Sequence, residues 1–245
     1  MLDWVRDIPL IPYQHPVCRM VETQEEAATM SLVDDLEQQS LLESILDEFK
    51  PAYREGTQQR HYLISTPFRY PPLRYGSRWG SRAERSFFYA SEDERTCLFE
   101  AAFYRFAFCE GKATPFSKPL RSEHCLFYVD VQTDSCSDTT QISSDIETAR
   151  LRDPISYSAT QRAGALLRGR GVEVIRYYSA RCENGVNVAI DNPDCIVSEV
   201  PKYEVAITCE IDSQQGIVRF AKRRDFPVSF TRTAFLVDGA FPLLA

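Results

Sequence analysis

Residues 69–100 read RYPPLRYGSRWGSRAERSFFYASEDERTCLFE, from Arg69 to Glu100. The second half of this stretch is a strand running into a helix. Residues 86–90, SFFYA, are aromatic-rich and favour a short strand. Ser91 follows as the expected N-cap, with Glu92 and Asp93 in the first turn and Glu94 completing an S-x-x-E capping box. The helix should run to about Phe108. Glu100 rides on it with Thr96, Cys97, Phe103 and Tyr104 three and four positions away, none of them basic. A glutamate among apolar and aromatic groups is drawn toward burial, and a buried carboxylate needs a reason. One reason is support of a developing cation on a sugar carbon. The plain alternative is a rim glutamate satisfied by solvent or a backbone amide.

The first half of the stretch is rich in arginine and has no lysine. A guanidinium is a planar fork of donors that matches phosphate oxygens, which the point charge of lysine does not. Gly76 and Gly80 frame Ser77-Arg78-Trp79, a turn through which backbone could approach a phosphate closely. Arg78 inside that turn is the candidate for a two-pronged grip on a pyrophosphate or its ribose. Arg69, Arg74 and Arg82 could share the task, although isolated arginines are usually solvated. Tyr89 ends the strand just before the helix, a place where a ring can meet a ligand and stack on a nicotinamide or can simply pack in the core.

Outside this stretch the chain reads as ordinary globular protein. It has 245 residues, 44% hydrophobic and 26% charged, enough to bury a substantial core. No apolar run approaches the ~20 residues that span a bilayer. Asp3, Arg6 and Asp7 interrupt the N-terminal segment where a signal peptide would be apolar, so the expected location is cytoplasmic. Residues 1–54 hold eleven acids and four bases, a net of −7 that equals the net charge of the whole chain. The remainder balances to zero, which argues against direct nucleic-acid binding. The eight cysteines include no C-x-x-C pair and lie at no zinc spacing with His15, His61 or His124. Reduced, mostly buried thiols are expected.

Residues 31–49 carry apolar side chains at helical spacing, with Pro51 as the stop, so the first 54 residues are expected to form an acidic helical appendage and 55–245 the main domain. Residues 61–65 read as a strand, after which Pro67, Pro71 and Pro72 force an extended loop. Residues 125–131 read as a strand and 132–153 as a polar connection. Ser158 should cap a helix through Arg168. Strands are expected over 172–178, 186–190, 203–211, 216–221 and 229–237, with a tight turn at Asn184-Gly185. Strands outnumber helices without regular alternation, so the class is α+β. There is no G-x-G-x-x-G and no P-loop motif. Ser179 opens the loop 179–185 with no histidine nearby, which disfavours a serine nucleophile and leaves a ligand hydrogen bond or a capped strand end.

Three blocks occur in order: TPFRYPPLRYGSRWG (66–80), FFYASEDERTCLFE (87–100) and YYSARCENGVNVAI (177–190). Together they resemble the RES-domain family over roughly residues 60–190. Arg78 matches the family arginine, Tyr89 the strand tyrosine, Glu100 the helix glutamate and Ser179 the serine of the S-A-R motif. Asn187 also fits the family pattern. The resemblance implies a mixed-sheet core related to ADP-ribosyltransferases, with flanking helices, and a toxin of a bacterial toxin–antitoxin pair. It implies NAD as substrate, with the nicotinamide–ribose bond cleaved by water or by inorganic phosphate as co-substrate. Transfer of ADP-ribose to a protein is the alternative acceptor. Arg78, Tyr89 and Glu100 would be catalytic, and Arg78, Tyr89, Ser179, Arg69 and Asn187 would bind substrate. No metal is required by this scheme. The implied partner is a helix-turn-helix antitoxin of the Xre type, and a homodimer is allowed. A reading of another class is a non-catalytic module whose arginine-rich loop docks an acidic partner.

Overall fold

The computed structural model describes residues 2–23, 32–112, 114 and 116–242. After a short helix α1 (Trp4–Asp7), the chain enters a 13-residue strand β1 (Leu10–Glu22). Helices α2 (Leu36–Phe49) and α3 (Tyr62–Arg69) precede strand β2 (Phe88–Ser91) and the long helix α4 (Glu94–Glu110). Then come β3 (Leu120–Asp138), α5 (Asp145–Leu151), α6 (Ser158–Gly169), β4 (Val174–Tyr178) and β5 (Val186–Ile190). A meander closes the chain: β6 (Tyr203–Asp212), β7 (Ile217–Lys222) and β8 (Val228–Thr231).

The eight strands form one mixed sheet in the order β1-β2-β5-β4-β3-β6-β7-β8. The pairing of β3 with β4 is parallel and the others are antiparallel. Because β1 also pairs with β3 from Leu10↔Ser137 to Glu22↔His124, the strands β1, β2, β5, β4 and β3 close into a ring. β3 is long enough to serve both parts: residues 120–128 pair with β6, and its end pairs with β4. This is the α+β class with a mixed-sheet core and flanking helices.

Alternation along the strands divides the core. Val188 and Ile190 of β5 point to one face with Val17, Phe88, Phe127, Val129 and Val174, covered by Leu63, Ile64 and Phe68 of α3. Ala189 points to the other face, with Trp79, Phe87, Ile175, Tyr177 and the α6 residues Ala163 and Leu167. A third cluster seats α4, through Leu98, Ala102, Phe103 and Phe106, on β6, β7, Phe235 and Phe241. Each fully buried phenylalanine contributes about 1.5–3 kcal/mol, so α4 is among the most firmly held elements of the fold.

Several expectations change. The N-terminal 54 residues are not wholly helical: Leu10–Glu22 is a sheet strand, and only Leu36–Phe49 is a long helix, with no buried residue. Ser31, at the start of the expected helix, lies outside the described residues. The strand expected at 61–65 is α3, because Ile64 and Phe68 fall one helical turn apart on the buried face. Pro67 sits inside that helix rather than ending it. The connection expected at 132–153 contains the end of β3 and all of α5, since Val131, Thr133 and Cys136 keep the buried side of the strand pattern beneath a polar surface. The last expected strand breaks after Thr231 into a 3-10 turn, Arg232–Phe235. Ser158 is the first residue of α6, which it does not cap.

Candidate active site

The cap of α4 decides where Glu100 points. Asp93, rather than Ser91, is the N-cap: its carboxylate accepts from the Thr96 amide at 2.8 Å and from Thr96 Oγ1 at 2.7 Å. Ser91 stays in β2, where its Oγ donates to Asn187 Oδ1 at 2.7 Å. That bond orients the Asn187 amide so that Nδ2 donates to Glu100 Oε1 at 2.7 Å. Ser179 Oγ donates to the same oxygen at 2.6 Å. Ser179 is itself fixed, because its Oγ accepts from the amides of Arg181 and Cys182 at 2.9 Å each. Ser91, Ser179 and Asn187 are all buried. Among the described residues no hydrogen bond reaches Glu100 Oε2. One carboxylate oxygen is thus held by two donors from different elements, the 179–185 loop and β5.

The loop that carries Ser179 comes close to α4 because Gly185 has no side chain. A Cβ there would stand 2.5 Å from Thr96 Oγ1. Asn184 takes the left-handed conformation, φ 59°, that the expected tight turn needs.

The glycine-framed turn is built as tightly. Gly76 has φ 78°, and a Cβ on it would meet the Gly80 carbonyl at 2.5 Å. Tyr89 pins the turn from β2: its hydroxyl donates to Ser77 Oγ at 2.8 Å and accepts from the Trp79 amide at 3.0 Å. Burial pushes the Tyr89 phenol up to about 12. Trp79 is fully buried, edge-on to Tyr177, and its backbone carbonyl rests against Gly164 of α6. Arg78 is thereby turned inward. Its Nη1 donates to the carbonyls of Leu151 and Asp153 at 3.1 and 3.2 Å, and its guanidinium lies 4.5 Å from the centre of the Tyr157 ring.

These pieces surround one cleft of about 440 Å³, lined by Arg78, Tyr89, Glu100 and Asn187 together with tyrosines 75, 104, 157 and 177. That volume falls within the usual range for small-molecule sites, and aromatic walls with few converging polar groups are their usual make-up. The model of the RES domain matches residues 51–210, well over half of the chain.

The chain belongs to the RES domain family.

No curated protein matches it. A chain of the solved M. tuberculosis MbcT–MbcA toxin–antitoxin complex aligns over 95% of this chain and 92% of its own length, at 11% sequence identity and a TM-score of 0.45.

Within the RES domain, the structure gathers Arg78, Tyr89, Glu100 and Asn187 around the cleft and places Ser179 behind Glu100, fully buried. Ser179 hydrogen-bonds the carboxylate and does not itself line the cleft. Arg69 does not join them. Its Nε donates to the Pro51 carbonyl, its guanidinium stacks 4.1 Å from the Tyr53 ring and Asp47 lies 4.0 Å away, all away from the cleft. Arg74 and Arg82 are exposed.

Several residues of the cleft escaped the sequence reading, Tyr104, Tyr157 and Arg19 among them. Tyr104 was visible as a helical neighbour of Glu100. Tyr157 lies between the connection expected at 132–153 and the helix expected from Ser158, where the sequence carried no reading. Arg19 comes from β1, before the matched RES domain begins. Its Nη1 donates to the Tyr89 carbonyl at 2.6 Å, while its Nε is buried without a protein partner. Of the two guanidiniums lining the cleft, Arg78 is committed to backbone carbonyls and Arg19 keeps a donor in reserve. Among the described residues no group of three or more His, Cys, Asp or Glu could hold a metal ion, and no helix is long and apolar enough to cross a membrane.

Proposed function

We propose that this RES domain cleaves the nicotinamide–ribose bond of NAD, and that it does so as the toxin of a toxin–antitoxin pair. The observation that carries the reading is the Glu100 carboxylate, with Oε1 held by Ser179 and Asn187 and Oε2 free at the cleft. A fixed anion beside a sugar carbon stabilises the oxocarbenium character that builds as the glycosidic bond breaks, and it does so without reorganising at that moment.

In this scheme Arg19 and Arg78 neutralise the pyrophosphate. The Tyr89 ring, rigid because its hydroxyl is bonded on two sides, stacks on the nicotinamide. Glu100 Oε2 accepts a hydrogen bond from a hydroxyl of the nicotinamide ribose and faces the positive charge that develops at C1. The C–N bond breaks with its electron pair passing to the pyridinium ring, so nicotinamide leaves neutral. Water or inorganic phosphate then attacks C1, and the proton released goes to solvent or to Glu100. The products are ADP-ribose or its 1-phosphate. Consumption of NAD is toxic to the cell that makes the enzyme, which is why a helix-turn-helix antitoxin is the partner expected.

The acceptor is decided by one experiment. Purified protein is incubated with NAD labelled in its adenylate half, with and without phosphate, and both free nicotinamide and protein-bound label are measured. Nicotinamide release supports the reading, and its phosphate dependence separates phosphorolysis from hydrolysis. Label on protein moves the reaction to ADP-ribosyl transfer. No release under any condition overturns the reading.

A further inference from the structure

Glu92 sits between the two residues that aim Glu100. Ser91 before it orients the Asn187 amide, and Asp93 after it caps α4. β2 is four residues long and meets β1 at the pair Cys18↔Ser91, a slender support for this junction. Glu92 reinforces it. Its amide donates to the Val186 carbonyl of β5 at 3.0 Å. Its side chain turns away from the cleft, where Arg176 of β4 grips both carboxylate oxygens. Nε of that arginine donates to Oε1 at 2.7 Å and Nη2 to Oε2 at 2.9 Å. The Tyr13 hydroxyl of β1 donates to Oε1 at 3.0 Å. Arg176 also reaches β3: its Nη1 donates to Asp138 Oδ2 at 3.0 Å and to Thr140 Oγ1 at 2.8 Å. The Glu92–Arg176 pair therefore ties together all five strands of the ring at the point where β2 hands over to α4. The Glu92, Arg176 and Asp138 side chains are 15%, 24% and 10% exposed, so salt screens these charges little. Neither Glu92 nor Arg176 lines the cleft.

We propose that Glu92 and Arg176 are a positioning pair for Glu100. Their two-pronged fork fixes the Ser91–Asp93 junction, and through it both the Asn187 amide and the first turn of α4. A planar fork sets direction as well as distance, which a lysine point charge does not.

The consequence falls on turnover rather than on binding. If the fork is lost, Ser91 no longer holds the Asn187 amide in register, and the cap at Asp93, about two helical turns before Glu100, shifts with it. Both supports of the carboxylate loosen together. A misplacement of about 1 Å at a reacting centre costs on the order of a hundredfold in rate. The residues that line the cleft stay in place, so affinity for the substrate is kept.

The loss of turnover rests on the NAD reading, but the loosening of the junction does not, and the test reads both. Arg176→Lys and Glu92→Gln are compared with Arg232→Lys, whose fork onto Glu110 at 2.6 and 3.1 Å holds the far end of α4. Nicotinamide release is measured beside hydrogen–deuterium exchange of peptides covering residues 88–100. In both test variants kcat should fall about tenfold or more with KM within about twofold, and exchange over 88–100 should rise. Arg232→Lys should leave kcat and that exchange as in the wild type. In an Asn187→Ala background the loss from Arg176→Lys should shrink to about threefold or less, because both changes act through one carboxylate. A general weakening of the fold would cost the same in either background, so full additivity overturns the pair. Unchanged exchange over 88–100, or raised exchange with kcat intact, overturns it too. Where one variant does not fold, the other decides, and failure of both to fold assigns the pair to stability alone. If the wild type releases no nicotinamide, the NAD reading fails, and the pair stands or falls on the exchange measurement.

Discussion

Asn187 on β5 donates from Nδ2 to Glu100 on α4 at 2.7 Å, and the same amide accepts from Ser91 on β2 at 2.7 Å. β2 and β5 are paired with Ser91 opposite Asn187, so the sheet register itself sets the position of the carboxylate. Glu100 is aimed by a strand pair and not by its own helix alone. Removing the amide with Asn187→Ala should therefore lower kcat for nicotinamide release by about a hundredfold with little change in KM, since the ligand contacts survive while the anion is misplaced. Steady-state kinetics check this. A rise in KM at constant kcat would assign Asn187 to substrate binding instead.

Ser179→Ala removes the other donor to the same oxygen. Because the two donors act on one atom, their losses should not add. The double variant Ser179→Ala/Asn187→Ala is expected within about tenfold of the worse single variant. A double-mutant cycle on kcat measures this, and full additivity would mean that the two residues act separately.

The two cleft arginines should respond differently. Arg78 carries two backbone carbonyls and a tyrosine ring, so Arg78→Lys is expected to lower thermal stability as well as activity, by about 1–3 kcal/mol. Arg19→Lys leaves the fold less affected and should raise KM for NAD about tenfold or more, as a planar donor is replaced by a point charge. Thermal melts beside kinetics separate the two. Equal losses of stability would remove the distinction.

Gly164→Ala tests the wall behind Arg78. A Cβ at this position would stand 2.0 Å from the Trp79 carbonyl oxygen, and that contact is with backbone, which cannot rotate away. The expected cost is at least ~1–3 kcal/mol, seen as a lowered midpoint in denaturant melts. An unchanged midpoint would show that α6 does not press on the 76–80 turn.

A pH dependence of stability is expected from His124. Its buried ring, hydrogen-bonded to Ser122 Oγ at 2.9 Å and edge-on to Phe220, is held below its ordinary 6.5, by burial first and by the nearby charge of Arg105 second. The unfolded imidazole takes a proton near 6.5 that the folded one refuses. The stability contributed by neutral burial is therefore full above that value and is lost as pH falls toward the lower folded value. Melts of the wild type and His124→Gln between about pH 7.5 and 5.5 should show the steeper decline in the wild type. Parallel curves would contradict it.

What could be read from the sequence was local. The β2-to-α4 junction, the 76–80 turn and the Asn184-Gly185 turn each announce themselves within a few residues, through aromatic runs, acids in a first helical turn and paired glycines. Those signals marked Arg78, Tyr89 and Glu100, and Asn187 came from the resemblance to the RES-domain family. The rest depends on pairing between distant segments. β1 carries Pro12 and Pro16 and adjoins an acidic segment, so nothing in its own residues announces the strand that pairs with β3 and delivers Arg19. The run at 61–65 is too short for periodicity to separate a strand from a helix, and packing of Ile64 and Phe68 decided it. Arg69 shows the opposite failure: abundance of arginine in a stretch says nothing about which guanidinium is spent on a neighbouring carbonyl.

The central claim is that the free oxygen of Glu100 does the chemistry, and Glu100→Gln tests it most directly. The amide keeps the size of the side chain and removes its charge. Nicotinamide release from NAD should fall by about a hundredfold or more, while the thermal midpoint stays near that of the wild type. Release by Glu100→Gln at the wild-type rate would contradict the account.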